Sequence, residues 1–349
     1  MGIKIFKNEK FLLLTLILFV AFFYKKLLAG FFQQDEWFSF TIYLLHRNLN
    51  FIDSLKFFFA PDIGHYNPLT VAAQQILFSV WGMNYSAFAI LGIILHLLAV
   101  VAVYFLAKVT FNGRKTLAFA TSVFFGILAS AYQATAWVVA DISTLSATLF
   151  GVISSTFFFT FLKERQNRFL TWSLVTLIVS LLFKEITLGL FPLFFIIYLV
   201  QYRKKVGPKP LWLIGGLGSA YALLRIGMFF IPSAGTVELI PPSQATGKLI
   251  YNIATVPLKV LSQSLFPAEL IKGVAGTATG MFPEELTGIP GTPEFETFVV
   301  KRTMEGMSVS IGLLVIIFVG ILYLKRKNGE LRSPIVYALG WIIINSFIF

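Results

Sequence analysis

The sequence predicts an all-α, polytopic membrane helical bundle of about nine spanning helices, with interfacial helices in the first outer loop. Three observations carry this. Of the 349 residues, 57 % are hydrophobic and 13 % charged, and the mean hydropathy is +0.81, well outside the range of soluble globular domains. Several windows approach the roughly 20 apolar residues needed to cross about 30 Å of hydrocarbon. Those windows are continuously apolar rather than alternating, and backbone groups in lipid must be satisfied within the element, so helices are expected and barrel strands are not.

In chain order the expected spans lie near 11–31, 86–107, 116–134, 142–162, 169–183, 186–200, 211–231, 307–324 and 333–349. The opening, "MGIKIFKNEKFLLLTLILFVAFF", has a basic start and an apolar centre like a secretory signal. No small-x-small cleavage site follows, so it reads as an uncleaved first span. The basic clusters Lys4/Lys7/Lys10, Lys108/Arg114/Lys115, Lys163/Arg165/Arg168, Arg203/Lys204/Lys205/Lys209 and Lys325/Arg326/Lys327/Arg332 hold most of the 28 Lys and Arg residues. Of the 16 acidic residues they contain or adjoin only Glu9, Glu164 and Glu330. By the positive-inside rule these loops and the N-terminus are cytoplasmic. The net charge of +12 therefore needs no nucleic-acid partner, since no aromatic-interleaved basic stripe accompanies it. With no cysteine, a disulfide framework and a thiolate metal site are excluded.

The uncharged run from Phe169 to Val200 is interrupted by Lys184 and Glu185 alone. Cytoplasmic clusters flank it on both sides, so it must cross an even number of times; as one straight helix it would reach about 48 Å and exit on the wrong side. It is predicted to be a hairpin with Lys184 and Glu185 at a recessed tip, where charges persist only if they pair or face a polar cavity. A local salt bridge closing the turn is the structural alternative, although adjacent helical residues do not face each other.

Other ionisable residues fall at the same outer face: Asp35 and Glu36 in "AGFFQQDEWFSF", Asp141 in "ATAWVVADISTLSATLF" and Arg225 in "SAYALLRIGMFF". Several such groups on one side of a membrane imply a shared cavity. Each also has a structural reading, Asp35 and Asp141 as helix caps and Arg225 as a residue snorkelling to headgroups. His96 reads as polar glue between helices. The three histidines show no metal-ligand spacing, and no metal site is expected.

Between the first two long spans, the outer loop 32–85 is amphipathic. Trp37, Phe40 and Leu44 share one helical face, as do Phe51, Leu55 and Phe58, with His46, Arg47, Asp53 and Lys56 opposed. Such helices lie along the headgroups, and 68–83 reads as a third interfacial or re-entrant helix. A second outer loop, 232–306, holds the amphipathic "KLIYNIATVPLKVLSQSLFP" and then "GVAGTATGMFPEELTGIPGTPEFE", which reads as irregular. The expected organisation is a transmembrane module 1–231, the loop 232–306, and C-terminal helices 307–349. The sequence stops inside "IIINSFIF", which reads as a truncated span.

The Asp-Glu pair after the first span, "YNPLTVAAQQILFSVWGMNYSAFAILGIILHLLAVVAVYFLAK", "AWVVADISTL" and "SLLFKEI" together resemble the C-fold (GT-C) membrane glycosyltransferases. Within that fold they most resemble the protein O-mannosyltransferase-like enzymes, over roughly residues 10–230. The resemblance implies transfer of a sugar from a polyprenyl-phosphate donor to a protein, lipid or glycan acceptor at the extracytoplasmic face of the plasma membrane. It implies Asp35 as catalytic base with Glu36 beside it, Asp141 as a second carboxylate, and Lys184 at the donor phosphate, with Glu185 adjoining. Relatives carry Arg or Lys before the proline of the first loop; here Asn67 precedes Pro68, and Arg225 or His65 is the substitute. No cofactor is implied beyond the lipid-linked donor substrate. A transporter or lipid flippase, and a non-catalytic scaffold of the same fold, are the competing classes.

Overall fold

The structure, a computed structural model, describes residues 8–32, 34–60, 66–128, 135–139, 141–201, 207–228, 242–266, 268–279, 303–317 and 319. Every regular element among them is helical. In order these are α1 (Glu9–Tyr24, running into a 3-10 turn Lys25–Ala29), α2 (Gln34–His46), α3 (Phe51–Phe58), α4 (Pro68–Trp81), α5 (Tyr85–Thr110), α6 (Lys115–Ile127) and α7 (Asp141–Glu164). There follow α8 (Asn167–Phe183), a 3-10 turn Glu185–Thr187, α9 (Leu190–Gln201), α10 (Lys209–Met228), α11 (Pro242–Leu265) and α12 (Ala268–Thr279), then α13 (Thr303–Ile317). The chain forms two compact units, α1–α10 and α11–α13.

Among the described residues, three stretches are long and apolar enough to cross a membrane: Glu9–Ala29, Tyr85–Thr110 and Ile142–Glu164. They mark a membrane-embedded protein. The expectation of an all-helical membrane bundle is therefore met in kind, with three of the expected nine or so spans reaching bilayer length among the described residues. Lys115–Ile127, Asn167–Phe183, Glu185–Leu199 and Thr303–Ile317 are apolar helices of 10–17 residues, short of the bilayer by length. The window 333–349 lies outside the described residues.

Local chemistry sets the helix ends. Asn8 accepts the Lys10 and Phe11 N–H groups to start α1, and Asn84 accepts that of Ala87 to start α5, each satisfying donors a first turn leaves orphaned. α5 ends at Asn112 and Gly113, both at positive φ (54° and 84°), with the Gly113 N–H returned to the Lys108 carbonyl, a left-handed C-terminal cap.

α1, α5 and α6 pack through Leu16, Val20, Tyr24, Val100, Tyr104 and Ala118. Leu12, Leu16, Val20 and Tyr24 recur at every fourth residue, so one stripe of α1 is buried. Gly126 admits this contact: a Cβ there would lie 2.7 Å from a Val20 methyl. His96 on α5 joins α6 by donating Nε2–H to the Gly126 carbonyl at 3.1 Å, the interhelical role expected of it.

α7 is the central post. Going up α8, Phe169 stacks with Phe157, Ser173 meets Ser154, and Ser180 donates to the Ala147 carbonyl. Coming down α9, Phe194 stacks on Phe158 at 4.1 Å and Tyr198 on Phe161 at 6.2 Å. The chain thus runs antiparallel to α7, reverses at Lys184, and returns parallel to it. Lys184 is the break: its backbone is extended (φ −166°, ψ 145°) between α8 and the 3-10 turn.

In the second unit, α12 corrects one expectation. The Gly and Thr content from Gly273 onward predicts irregular structure, yet α12 continues through it to Thr279. Ile271 and Ala275, one helical turn apart, are 3 % and 0 % exposed, and Thr277 returns its hydroxyl to the Gly273 carbonyl. Packing on that stripe overrides the weak propensities.

Candidate functional site

The doublet at the hairpin tip does not close on itself. Glu185 is buried, and its Oε1 accepts the Tyr66 N–H at 2.8 Å and meets Arg225 Nη2 at 2.9 Å. Arg225 is therefore held by a carboxylate and is not snorkelling; the two side chains are 17 % and 11 % exposed. Lys184, half-buried, turns the other way and donates its ammonium to Thr144 Oγ1 at 2.9 Å. No carboxylate whose side chain is described pairs with it.

A second contact set lies along the same helix. Glu36 is 1 % exposed, and its Oε1 accepts the Val139 N–H at 2.7 Å. Gln74 donates to the Val139 carbonyl at 3.2 Å. Four residues earlier on α4, Thr70 donates to the Phe183 carbonyl at 2.6 Å, taking a carbonyl that the end of α8 leaves without a helical partner. One face of α4 thus holds both the hairpin tip and the segment leading into α7. Phe78 from the same helix packs with Phe32, Phe88, Val138 and Val139, so the polar contacts stand on an aromatic floor.

Of the residues selected from sequence, Glu36, Lys184, Glu185 and Arg225 are brought into this one region by contacts from α2, α4, α7 and α10. The backbone of Asp35 adjoins Glu36 at the start of α2, and that of Asp141 begins α7 one turn before Thr144. The side chains of Asp35 and Asp141, and all of His65, lie outside the described residues. Among the described residues no three His or carboxylate groups gather as a metal site would require.

Sequence reasoning missed Tyr66, Thr70, Gln74, Thr144 and Tyr221. The Tyr221 hydroxyl is buried with no hydrogen-bond partner among the described residues, and it sits one helical turn before Arg225, on the same face. Burial pushes the Tyr66 phenol above its ordinary range, against the pull of Arg225. The i, i+4 spacings Thr70/Gln74 and Tyr221/Arg225 were available signals. The remaining partners are set by tertiary packing.

α3 adds no buried residue; Phe51 is 77 % exposed and Ile52 64 %, while His46 of α2 stacks on Phe57 at 3.9 Å. No protein-family model, no curated protein and no solved structure matches this chain.

Proposed function

We propose that the chain is a membrane glycosyltransferase that moves a sugar from a polyprenyl-phosphate donor to an acceptor hydroxyl, with inversion at the anomeric carbon. The observation that carries this reading is the arrangement at the hairpin tip: Lys184 has no described carboxylate partner, while Arg225 beside it is neutralised by Glu185. A half-buried cation with no carboxylate partner among the described residues is a receptor for an anionic group, and a partly desolvated ammonium acts on it more strongly than one in water.

In this reading Asp35 takes the acceptor proton. The freed oxygen attacks the anomeric carbon from the face opposite the phosphate, and the carbon–oxygen bond to phosphate breaks with its electron pair. The lipid phosphate leaves with the added charge stabilised by Lys184, and the Tyr221 hydroxyl supplies a further donor. Glu36, turned inward to Val139, positions the α2 start and does not touch substrate. Glu185 positions Arg225 and Tyr66. The shorter apolar helices α6, α8, α9 and α13, with α10 and the window 333–349, serve as further crossings that complete a bundle of about nine. The N-terminus is cytoplasmic, and the site faces outward from the plasma membrane.

The test is transfer by the purified chain across a panel of polyprenyl-phosphate sugars and hydroxyl acceptors. Lys184→Ala is expected to lower kcat/KM by about 10²–10³ and Asp35→Asn by about 10²–10⁴, with thermal unfolding unchanged. Retention of most activity in Asp35→Asn would remove the proposed base. A loss in Lys184→Ala that tracks a fall in unfolding temperature would reduce that residue to a structural role.

A further inference from the structure

The seam between α5 and α7 carries two adjoining clefts. One, of about 410 Å³, is walled by Leu98, Val101 and Phe105 from α5 and Leu149, Ile153 and Phe157 from α7. The other, of about 300 Å³, is lined by Lys108 and Gly113 and by Thr160, Lys163 and Glu164. Phe105 borders both. The result is one groove, apolar along its length and basic at its end.

Its polar atoms are arranged to keep that contrast. Within the seam, the Thr156 and Thr160 hydroxyls are returned to the carbonyls of Val152 and Thr156, so the long part presents hydrocarbon. At the basic end Lys163 donates to the Val109 carbonyl and, at 2.7 Å, to Asn112 Oδ1; both partners are neutral and leave its charge uncompensated. Lys108 shares Glu9 with Lys115, at 2.5 and 3.5 Å, one carboxylate against two ammonium groups. Glu164, also on the lining, accepts from Gln166.

Dimensions choose the occupant. From Leu98 to Lys108 the groove follows about ten helical residues, or about 15 Å, half of a hydrocarbon core about 30 Å thick. That is the depth of one leaflet. The first cleft, of about 410 Å³, runs from Leu98 to Phe105, about 10 Å of helix, which gives a section of about 40 Å², whereas a helix about 10 Å across needs about 80 Å². An extended acyl chain fits and a partner helix does not. Headgroup depth then coincides with Lys108 and Lys163, and basic pockets between membrane helices favour anionic headgroups.

We propose that this seam is a binding site for an acidic glycerophospholipid of the leaflet at the basic end of the bundle. One acyl chain lies between α5 and α7, and the phosphate rests against Lys163 and Lys108.

The purified full-length chain, stripped of lipid in mild detergent, is titrated by native mass spectrometry with phosphatidylglycerol and with phosphatidylcholine of identical chains. Phosphatidylglycerol is expected to bind about tenfold more tightly. Lys163→Gln, which keeps an amide donor for the Val109 carbonyl, should bring the two lipids to within about threefold. Val101→Phe, which fills the groove, should weaken both; Ile153→Phe on the facing helix repeats that test if Val101→Phe lowers the unfolding temperature. Equal binding of the two lipids by the unmodified chain, or unchanged phosphatidylglycerol binding in the filled variants, would overturn the proposal and leave only a non-selective belt of lipid.

Discussion

Glu185 shows how much one buried carboxylate decides. It satisfies the Tyr66 N–H and the Arg225 guanidinium with the same oxygen, so its removal takes one partner from a backbone donor and from a cation together. Breaking a buried pair from one side costs about 3–5 kcal/mol, whereas replacing both charges by apolar groups is often close to neutral. Glu185→Ala is therefore expected to lower stability by about 3 kcal/mol, and Glu185→Met combined with Arg225→Leu by much less. Thermal unfolding in detergent distinguishes the two; equal losses would mean that the ion pair does not couple these residues. At this scale the sequence was half legible. Charge inside an apolar run singled out Lys184, Glu185 and Arg225, because such residues are costly unless partnered. It could not say that Glu185 would choose Arg225 over Lys184, since that choice depends on where α10 packs.

At the scale of the element, the reversal at Lys184 was readable because two basic clusters bracket a run too long for one crossing and too short for two full ones. The helical nature of α4 was readable too, but its work was not: Thr70 and Gln74 look like ordinary polar residues until α8 and Val139 arrive beside them. Close packing of the tip on α7 depends on Gly151, where an added Cβ would stand 2.7 Å from Thr187 Cγ2. Gly151→Ala is expected to destabilise the protein by about 1–3 kcal/mol through overpacking. Thr187→Ser removes the offending methyl and keeps the hydroxyl that bonds Ser180 at 2.7 Å. The double variant should accordingly recover most of the loss, as read by unfolding temperature. No recovery would place the strain elsewhere.

For the whole molecule, Lys108, Lys115 and Lys163 gather at one end of the first unit, and the cysteine-free sequence makes its orientation measurable. Single cysteines at Gln166, between α7 and α8, and at Lys56 on α3 are both exposed positions. In intact cells an impermeant maleimide is expected to label Lys56→Cys and to reach Gln166→Cys only after the membrane is opened. Labelling of both from outside would reverse the reading of the charge distribution. The number of crossings was the least legible property at this scale. Composition marks apolar windows, but the length of each helix is fixed by breaks such as Lys184 and by caps such as Arg165 (φ 58°), which hydropathy does not register.

The contacts of α4 also impose an order on biogenesis. Thr70 and Tyr66 leave the ribosome early, yet the carbonyl and carboxylate that satisfy them belong to Phe183 and Glu185, 113 and 119 positions later. Until the hairpin has entered the bilayer, the amino-terminal helices can be inserted but not finished. A nascent chain halted before Phe183 would leave these contacts of Tyr66 and α4 open, and would close them only when the later segment was delivered.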